Sequence, residues 1–343
     1  MIEATSEPRF VVASLGSIGQ RHLRNLRQLR PNALIAALRR PGGGTETFEG
    51  CDALFTSIEQ ALPFQPVAAI LAGPATTHIE LAQAFVERGI SVLIEKPLSA
   101  DLHGLARLSE TAQAQGTPIM IGYNLRFNAS LASMRADLQA GAIGDVLSVR
   151  AEVGQYLPDW RPGSDYRQNV SAQRSLGGGA LLELSHEIDY IYWLFGMPER
   201  VTCRGGRLSD LDIDVEDCVE LCLEYSSPPR LVSIHLDFLQ RPAIRTCKLV
   251  GSRGTMLWNA LEDSYAVNVA EAAPDRRIVH KPMHDRNQMY LDELSAFLAA
   301  AENRHPTPIP LAEGIDVMRI ITAARRSLES GRAEQPIAIT TSA

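Results

Sequence analysis

Residues 10–19, Phe10-Val11-Val12-Ala13-Ser14-Leu15-Gly16-Ser17-Ile18-Gly19, decide the fold. An unalternating apolar run enters Ser14-x-Gly16-x-x-Gly19, and a helical pattern follows to about residue 29. That order reads as strand, tight turn and helix, the phosphate loop of a Rossmann unit. The middle glycine lets a pyrophosphate approach the backbone, and the last permits close helix–strand packing. Leu15, Gly16, Ser17, Ile18 and Gly19 are therefore candidate cofactor-binding residues, with helix N-terminal amides as anion donors. Ser14 stands where the first glycine is usual, so the turn requires a conformation that serine tolerates.

Working outward, further apolar runs fall at 33–38, 67–72, 90–94 and 119–122, with helical patterns at 18–29, 76–87 and 102–115. This alternation predicts right-handed crossovers and a parallel sheet covered on both faces. After about residue 145 the rhythm changes. Segments 146–156, 200–207, 215–225, 231–238, 245–250 and 255–259 read as strands of an antiparallel sheet. One helix is expected over 180–195, after Gly177-Gly178-Gly179, and two more over 287–301 and 312–330. The predicted fold is α/β: a doubly wound Rossmann domain over 1–125, then an α+β domain over 126–343 with a large, open, mainly antiparallel sheet. The second would bind substrate and oligomerise, and the last helices are free to pack back on the first. A sheet with few covering helices leaves one face for a homodimer or homotetramer.

Composition narrows the class. With 45% hydrophobic and 21% charged residues, the chain suits a soluble globular protein. Its net charge of −7 argues against a nucleic-acid surface. Arg21, Arg24, Arg27 and Arg30 fall at helical spacing and read as one solvated helix face. No run reaches the roughly 18 apolar residues of a membrane span, and residues 1–10 carry no apolar signal segment. Five cysteines, an odd number with no CxxC pair, fit reduced thiols in the cytoplasm. Cys218 and Cys222 share one face of a strand and read as small core residues. Without a neighbouring histidine cluster no metal site is expected.

The end of the second strand bears on the dinucleotide. An acid there accepts from the ribose 2′-hydroxyl of NAD, whereas this chain has Arg39-Arg40. A guanidinium pairs with a 2′-phosphate and stacks on adenine, so NADP is favoured, with NAD the alternative.

The phosphate loop, Pro74-x-x-x-His78, Glu95-Lys96-Pro97 and Gly177-Gly178-Gly179…His186-x-x-Asp189 occur in one order. Together with Gly251-Ser252-Arg253-Gly254 they resemble the Gfo/Idh/MocA family of NAD(P)-dependent oxidoreductases over roughly residues 9–335. The resemblance implies hydride transfer at a carbinol or carbonyl carbon of a sugar, inositol or nucleotide-linked sugar. It sets Lys96 near the nicotinamide and the reacting oxygen, and adds Pro74, His78, Glu95 and Asn124 to the candidate cofactor contacts.

The chemistry is coherent on its own terms. Hydride departure builds negative charge on oxygen, which an ammonium stabilises. The hydroxyl proton needs a base that titrates near neutrality, and His186 is the candidate, with Lys96 lowered by burial the alternative. Many members carry an aspartate four residues before the histidine. Position 182 is Leu here, and Glu183 is the nearest acid, on a shared helix face if the helix is regular. Asp189 matches the family's second acid. Arg126, Tyr156, Tyr166, Arg167 and Arg174 are candidate substrate contacts, and Trp160 and Arg161 candidate cofactor contacts. This aromatic and arginine-rich loop is similar to members serving surface-carbohydrate pathways. Two other readings stay open: a non-catalytic NAD(P)-binding regulator, and an enzyme holding its dinucleotide through coupled oxidation and reduction.

Overall fold

The computed structural model describes residues 7–39, 48–269, 277–280 and 285–339, with 277–280 described as backbone alone. Arg40, half of the cofactor-choice pair, lies outside the described residues.

The chain runs through β1 (Arg9–Ala13), α1 (Ser17–Leu29), β2 (Leu34–Leu38), β3 (Ala53–Phe55), α2 (Ile58–Ala61), β4 (Ala68–Leu71), α3 (His78–Val86), β5 (Ser91–Glu95), α4 (Leu105–Gln115) and β6 (Ile119–Gly122). It continues through α5 (Ala129–Gln139), β7 (Val146–Gly154), α6 (Ala180–Glu183), α7 (His186–Phe195), β8 (Arg200–Gly206), β9 (Cys218–Ser226) and β10 (Pro229–Asp237). Then follow β11 (Ile244–Gly251), β12 (Gly254–Asn259), β13 (Ser264–Val269), β14 (Arg277–His280), α8 (Gln288–Asn303) and α9 (Leu311–Ser330). Two compact units result. One comprises Met1–Tyr123, Asn287–Ile315 and Ile339–Ala343, the other Asn124–Arg286 and Asp316–Ala338.

The first unit holds a six-stranded parallel sheet in the order β3-β2-β1-β4-β5-β6. Strands β4, β5 and β6 are buried at every position, as strands covered on both faces must be. The strand order reverses between β1 and β4, the switch point at whose carboxyl ends open α/β sheets bind their ligands. Helix α8, from far along the chain, joins α1 through paired amide hydrogen bonds between Asn25 and Asn287, at 3.2 and 2.8 Å. The basic stripe on α1 is thus only partly solvated. Arg21 lies 4.3 Å above the Tyr290 ring, Arg27 pairs with Asp52, and Arg30 grips Glu302 with two nitrogens.

The second unit is an eight-stranded sheet in the order β14-β13-β12-β11-β7-β10-β9-β8. All described pairings are antiparallel except β7 with β10. Val149, Ala151, Val219, Leu221, Leu223, Val232 and Ile234 form its buried side. Cys218 and Cys222 fall on the other face, half-buried, because the odd-numbered positions of β9 turn inward. The expected core role of these two cysteines is therefore corrected. The expected 180–195 helix is broken at Leu184-Ser185. Backbone bonding slips there to i−3, from Ser185 to Leu182 and from Glu187 to Leu184, leaving α6 and α7 as separate pieces. Among the described residues no helix is long and apolar enough to cross a membrane.

Candidate active site

The dinucleotide loop follows from close packing. Ser14 adopts φ +70, the left-handed turn usually reserved for glycine, and its amide bonds Leu38 O at 2.8 Å. A methyl group on Gly19 would lie 1.9 Å from the Ser14 carbonyl oxygen, so only glycine lets α1 approach the turn. Gly16 caps α1 with an extended backbone and no side-chain cap, and a Cβ there would meet nothing within 4 Å. Gly16 and Ser17 are exposed, and the first turn of α1 contains no acid. Unclaimed amides facing open space fit a pyrophosphate.

At the end of β2, the Arg39 amide bonds Phe55 O and its guanidinium lies 5.2 Å from the Phe48 ring centre. The cation is thus half-buried on an aromatic platform. His78 has a different task from the expected cofactor contact. It is 1% exposed, with Nε2 3.0 Å from Gly73 O and Nδ1 3.1 Å from Pro97 O. Burial pushes its pKa down, against the pull of the surrounding carbonyls. The ring ties the turn after β4, which carries Pro74, to the Glu95-Lys96-Pro97 turn after β5. Lys96 stands half-buried at the carboxyl end of β5, and its amide donates to Glu95 Oε2 at 3.1 Å.

In the second unit, His186 is the first residue of α7 and 9% exposed. One buried and one half-buried ion pair flank the helix turn that bears it. Arg126 meets Asp189 through Nε and Nη2 at 3.0 and 2.7 Å, and Arg245 Nε meets Glu187 at 2.9 Å. Further along α7, the Tyr192 hydroxyl donates to Asp316 at 2.8 Å. Arg126 is therefore committed to a protein carboxylate, where an anion contact was expected. Glu183 accepts from the Ser171 hydroxyl at 2.8 Å. With the backbone broken at 184–185, a regular helix no longer carries Glu183 and His186 on one face. Asn124, which opens a 3₁₀ turn over Asn124–Phe127, is buried.

The loop between β7 and α6 is tied within itself and to the connections after β8 and β10. Tyr156 lies under the Arg241 guanidinium, 3.3 Å from the ring centre, and Trp160 packs edge-on against Phe238 with Nε1 donating to Gln155 O. Arg167 pairs with Asp165 through two nitrogens, Arg174 bonds Asp214 through its amide and Nη2, and the Tyr166 hydroxyl accepts from the Asp212 amide. Arg161 is exposed. Sequence reading missed Glu187, Arg245, His22 and Glu293. The available signals were a histidine and an acid inside the apolar stripes of α1 and α8.

A levoglucosan dehydrogenase, solved with NADH and levoglucosan, shares the fold at a TM-score of 0.85 and 19% identity, over 97% of this chain and 100% of that one. The D-xylose 1-dehydrogenase (NADP(+)) 2 of Haloferax volcanii is 27% identical over 76% of this chain and 77% of its own length. The inositol 2-dehydrogenase of Rhizobium meliloti is 24% identical over 94% and 98%. By class, then, the protein is an NAD(P)-binding oxidoreductase acting on CH–OH groups. Residues 9–123 match the oxidoreductase family with an NAD-binding Rossmann fold, and residues 131–257 match the GFO/IDH/MocA C-terminal domain. The chain belongs to the Gfo/Idh/MocA family.

Proposed function

We propose that the protein moves a hydride to or from a carbinol or carbonyl carbon of a sugar, inositol or nucleotide-linked sugar, with NADP preferred. The observation that carries this is the placement of the Lys96 turn within the parallel sheet. Lys96 follows β5, two strands from the β1 loop, and each strand step is about 4.8 Å. An extended dinucleotide with its pyrophosphate at Gly16 has the reach to present its nicotinamide beside β5. Nicotinamide, when bound, supplies the hydride acceptor or donor.

The chain supplies the rest. Lys96 stabilises charge on the carbinol oxygen as the C–H bond breaks, and His186 takes the hydroxyl proton, or returns it in the reverse direction. Glu95 and Asn124 add contacts to the dinucleotide. Arg126–Asp189 and Arg245–Glu187 orient the helix turn behind His186. Arg167 and Arg174, in exposed pairs that cost little to open, meet an anionic group such as the carboxylate or phosphate of a surface-carbohydrate precursor. Tyr156, Tyr166, Trp160 and Arg161 form the surrounding surface.

Arg39 on its Phe48 platform supports NADP, since the last described residue after β2 is a cation and not an acid. The open face of the larger sheet supports a homodimer or homotetramer, checked by light scattering across micromolar concentrations. Five unpaired cysteines fit a cytoplasmic setting.

The test is a turnover panel of D-xylose, myo-inositol and nucleotide sugars with NADP and NAD. Reduction of NADP by at least one polyol is expected. Tight dinucleotide binding with no hydride transfer to any panel member would instead favour a non-catalytic regulator.

A further inference from the structure

Glu95 is where four segments of the first unit converge. Its carboxylate holds the Lys96 amide through Oε2 at 3.1 Å and His22 Nε2 through Oε1 at 2.6 Å. His22 comes from α1, three residues beyond Gly19, and is fully buried. Its Nδ1 has no hydrogen-bond partner among the described residues, so Nε2, against Glu95, is the ring nitrogen that ties α1 to the cluster. Glu293 of α8 is also fully buried, and its carboxylate lies within 4.8 Å of the His22 and Glu95 ligating atoms. On the fourth side is Gly122 of β6, where a Cβ would sit 3.2 Å from both Cα and Oε2 of Glu95. Glycine leaves room for the carboxylate, which a Cβ at this position would crowd.

We infer that His22 and Glu293 are positioning residues for the Lys96 turn, acting through Glu95 and linking it to the helix that receives the dinucleotide. The inference rests on the reading of Lys96 as the group beside the reacting oxygen. In a dry site a hydrogen bond to a carboxylate is strong and directional, and leaving one partner unmatched is costly. A shift of α1 therefore reaches Glu95 through the 2.6 Å bond and moves the backbone that aims the lysine. Glu293 arrives on a helix already clamped to α1 by Asn25–Asn287 and Arg21–Tyr290. It brings a second buried carboxylate within 4.8 Å of the Glu95–His22 pair. Neither His22 nor Glu293 needs to touch substrate for the turnover rate to depend on it.

The test pairs His22→Ala with His22→Gln, whose side-chain amide restores a donor near the Nε2 position. Amide hydrogen exchange at Lys96 is read against the strand amides of residues 92–94, in full-length protein with and without NADPH. The expected result for His22→Ala is Lys96 exchange about tenfold faster with the strand unchanged, and recovery in His22→Gln. With D-xylose or myo-inositol as the probe, kcat per NADPH-binding site should fall by roughly ten- to hundredfold, as misplacements near 1 Å do. KM for the polyol should change by less than about threefold, the split expected when positioning and not binding is lost.

Unchanged Lys96 exchange, an equal rise along residues 92–94, or a loss that Gln does not restore would overturn the inference. If His22→Ala does not fold, Glu293→Gln keeps the shape and serves the same comparison. Unaltered exchange and kcat in that variant would equally overturn it. Normal turnover of Lys96→Met would defeat the catalytic reading while leaving the exchange result to stand by itself.

Discussion

Arg126 and Asp189 join through two hydrogen bonds, at 3.0 and 2.7 Å, where the arginine is 7% exposed and the aspartate is fully buried. The pair connects the turn after β6 to the third residue beyond His186 inside α7. Removing one member leaves a buried charge, which costs about 3–5 kcal/mol. Arg126→Met or Asp189→Leu alone should therefore lower the denaturation midpoint strongly. The double variant Arg126→Met/Asp189→Leu should be markedly less destabilised than the two single changes summed. Denaturant titration of the four proteins checks it, and additive losses would count against a coupled pair.

Ser14 sits at φ +70, a conformation costing a residue with a Cβ about 1–2 kcal/mol. Ser14→Gly should raise thermal stability and leave dinucleotide affinity within a few-fold. Gly19→Ala should do the reverse, because its methyl would lie 1.9 Å from the Ser14 carbonyl oxygen. The helix N-terminus must move, and dinucleotide binding should fall at least tenfold by fluorescence titration.

His235 lies on the open face of the larger sheet. Its hydrogen bond to Asp237, helped by that to Glu220, raises its pKa to about 9 against the cost of partial burial. Unfolded, the ring titrates near its ordinary value of about 6.5. Its contribution to stability is therefore complete below about pH 6.5 and fades as pH rises through 9. Melting temperature should decline over that window in the wild type, and His235→Gln should flatten the decline. A slope unaffected by His235→Gln would refute the assignment.

Under the proposed function, cofactor choice turns on Arg39. Arg39→Asp replaces a phosphate partner with a ribose-hydroxyl acceptor. A hydrogen bond to a charged group contributes about 1.5–3 kcal/mol, so NADPH affinity should fall roughly ten- to hundredfold while NADH affinity rises. Parallel titrations decide it, and wild-type protein binding NADH more tightly than NADPH would overturn the NADP preference.

How much was legible follows from the range of each interaction. The β1–loop–α1 unit was readable because its signal lies within about ten consecutive residues, down to the unusual turn at Ser14. The second sheet was recognisable from period-two segments, but the parallel pairing of β7 with β10 leaves no trace in periodicity. The break at Leu184-Ser185 hides inside a pattern that looks continuously helical. Arg126 read as a ligand contact because its partner Asp189 is 63 residues away, and His78 read as a cofactor contact because its acceptors are backbone carbonyls. Side-chain type showed where chemistry is concentrated. Which of those side chains are committed to one another needed coordinates.

The central claim is that Lys96 stabilises the reacting oxygen during hydride transfer. Its most direct test is turnover of Lys96→Met with the polyol that the wild type oxidises, read from reduced-nicotinamide absorbance, alongside NADPH affinity. Affinity within a few-fold of wild type with kcat lowered by 100-fold or more, about 2.7 kcal/mol of lost stabilisation, is the predicted result. Wild-type turnover by Lys96→Met would contradict it.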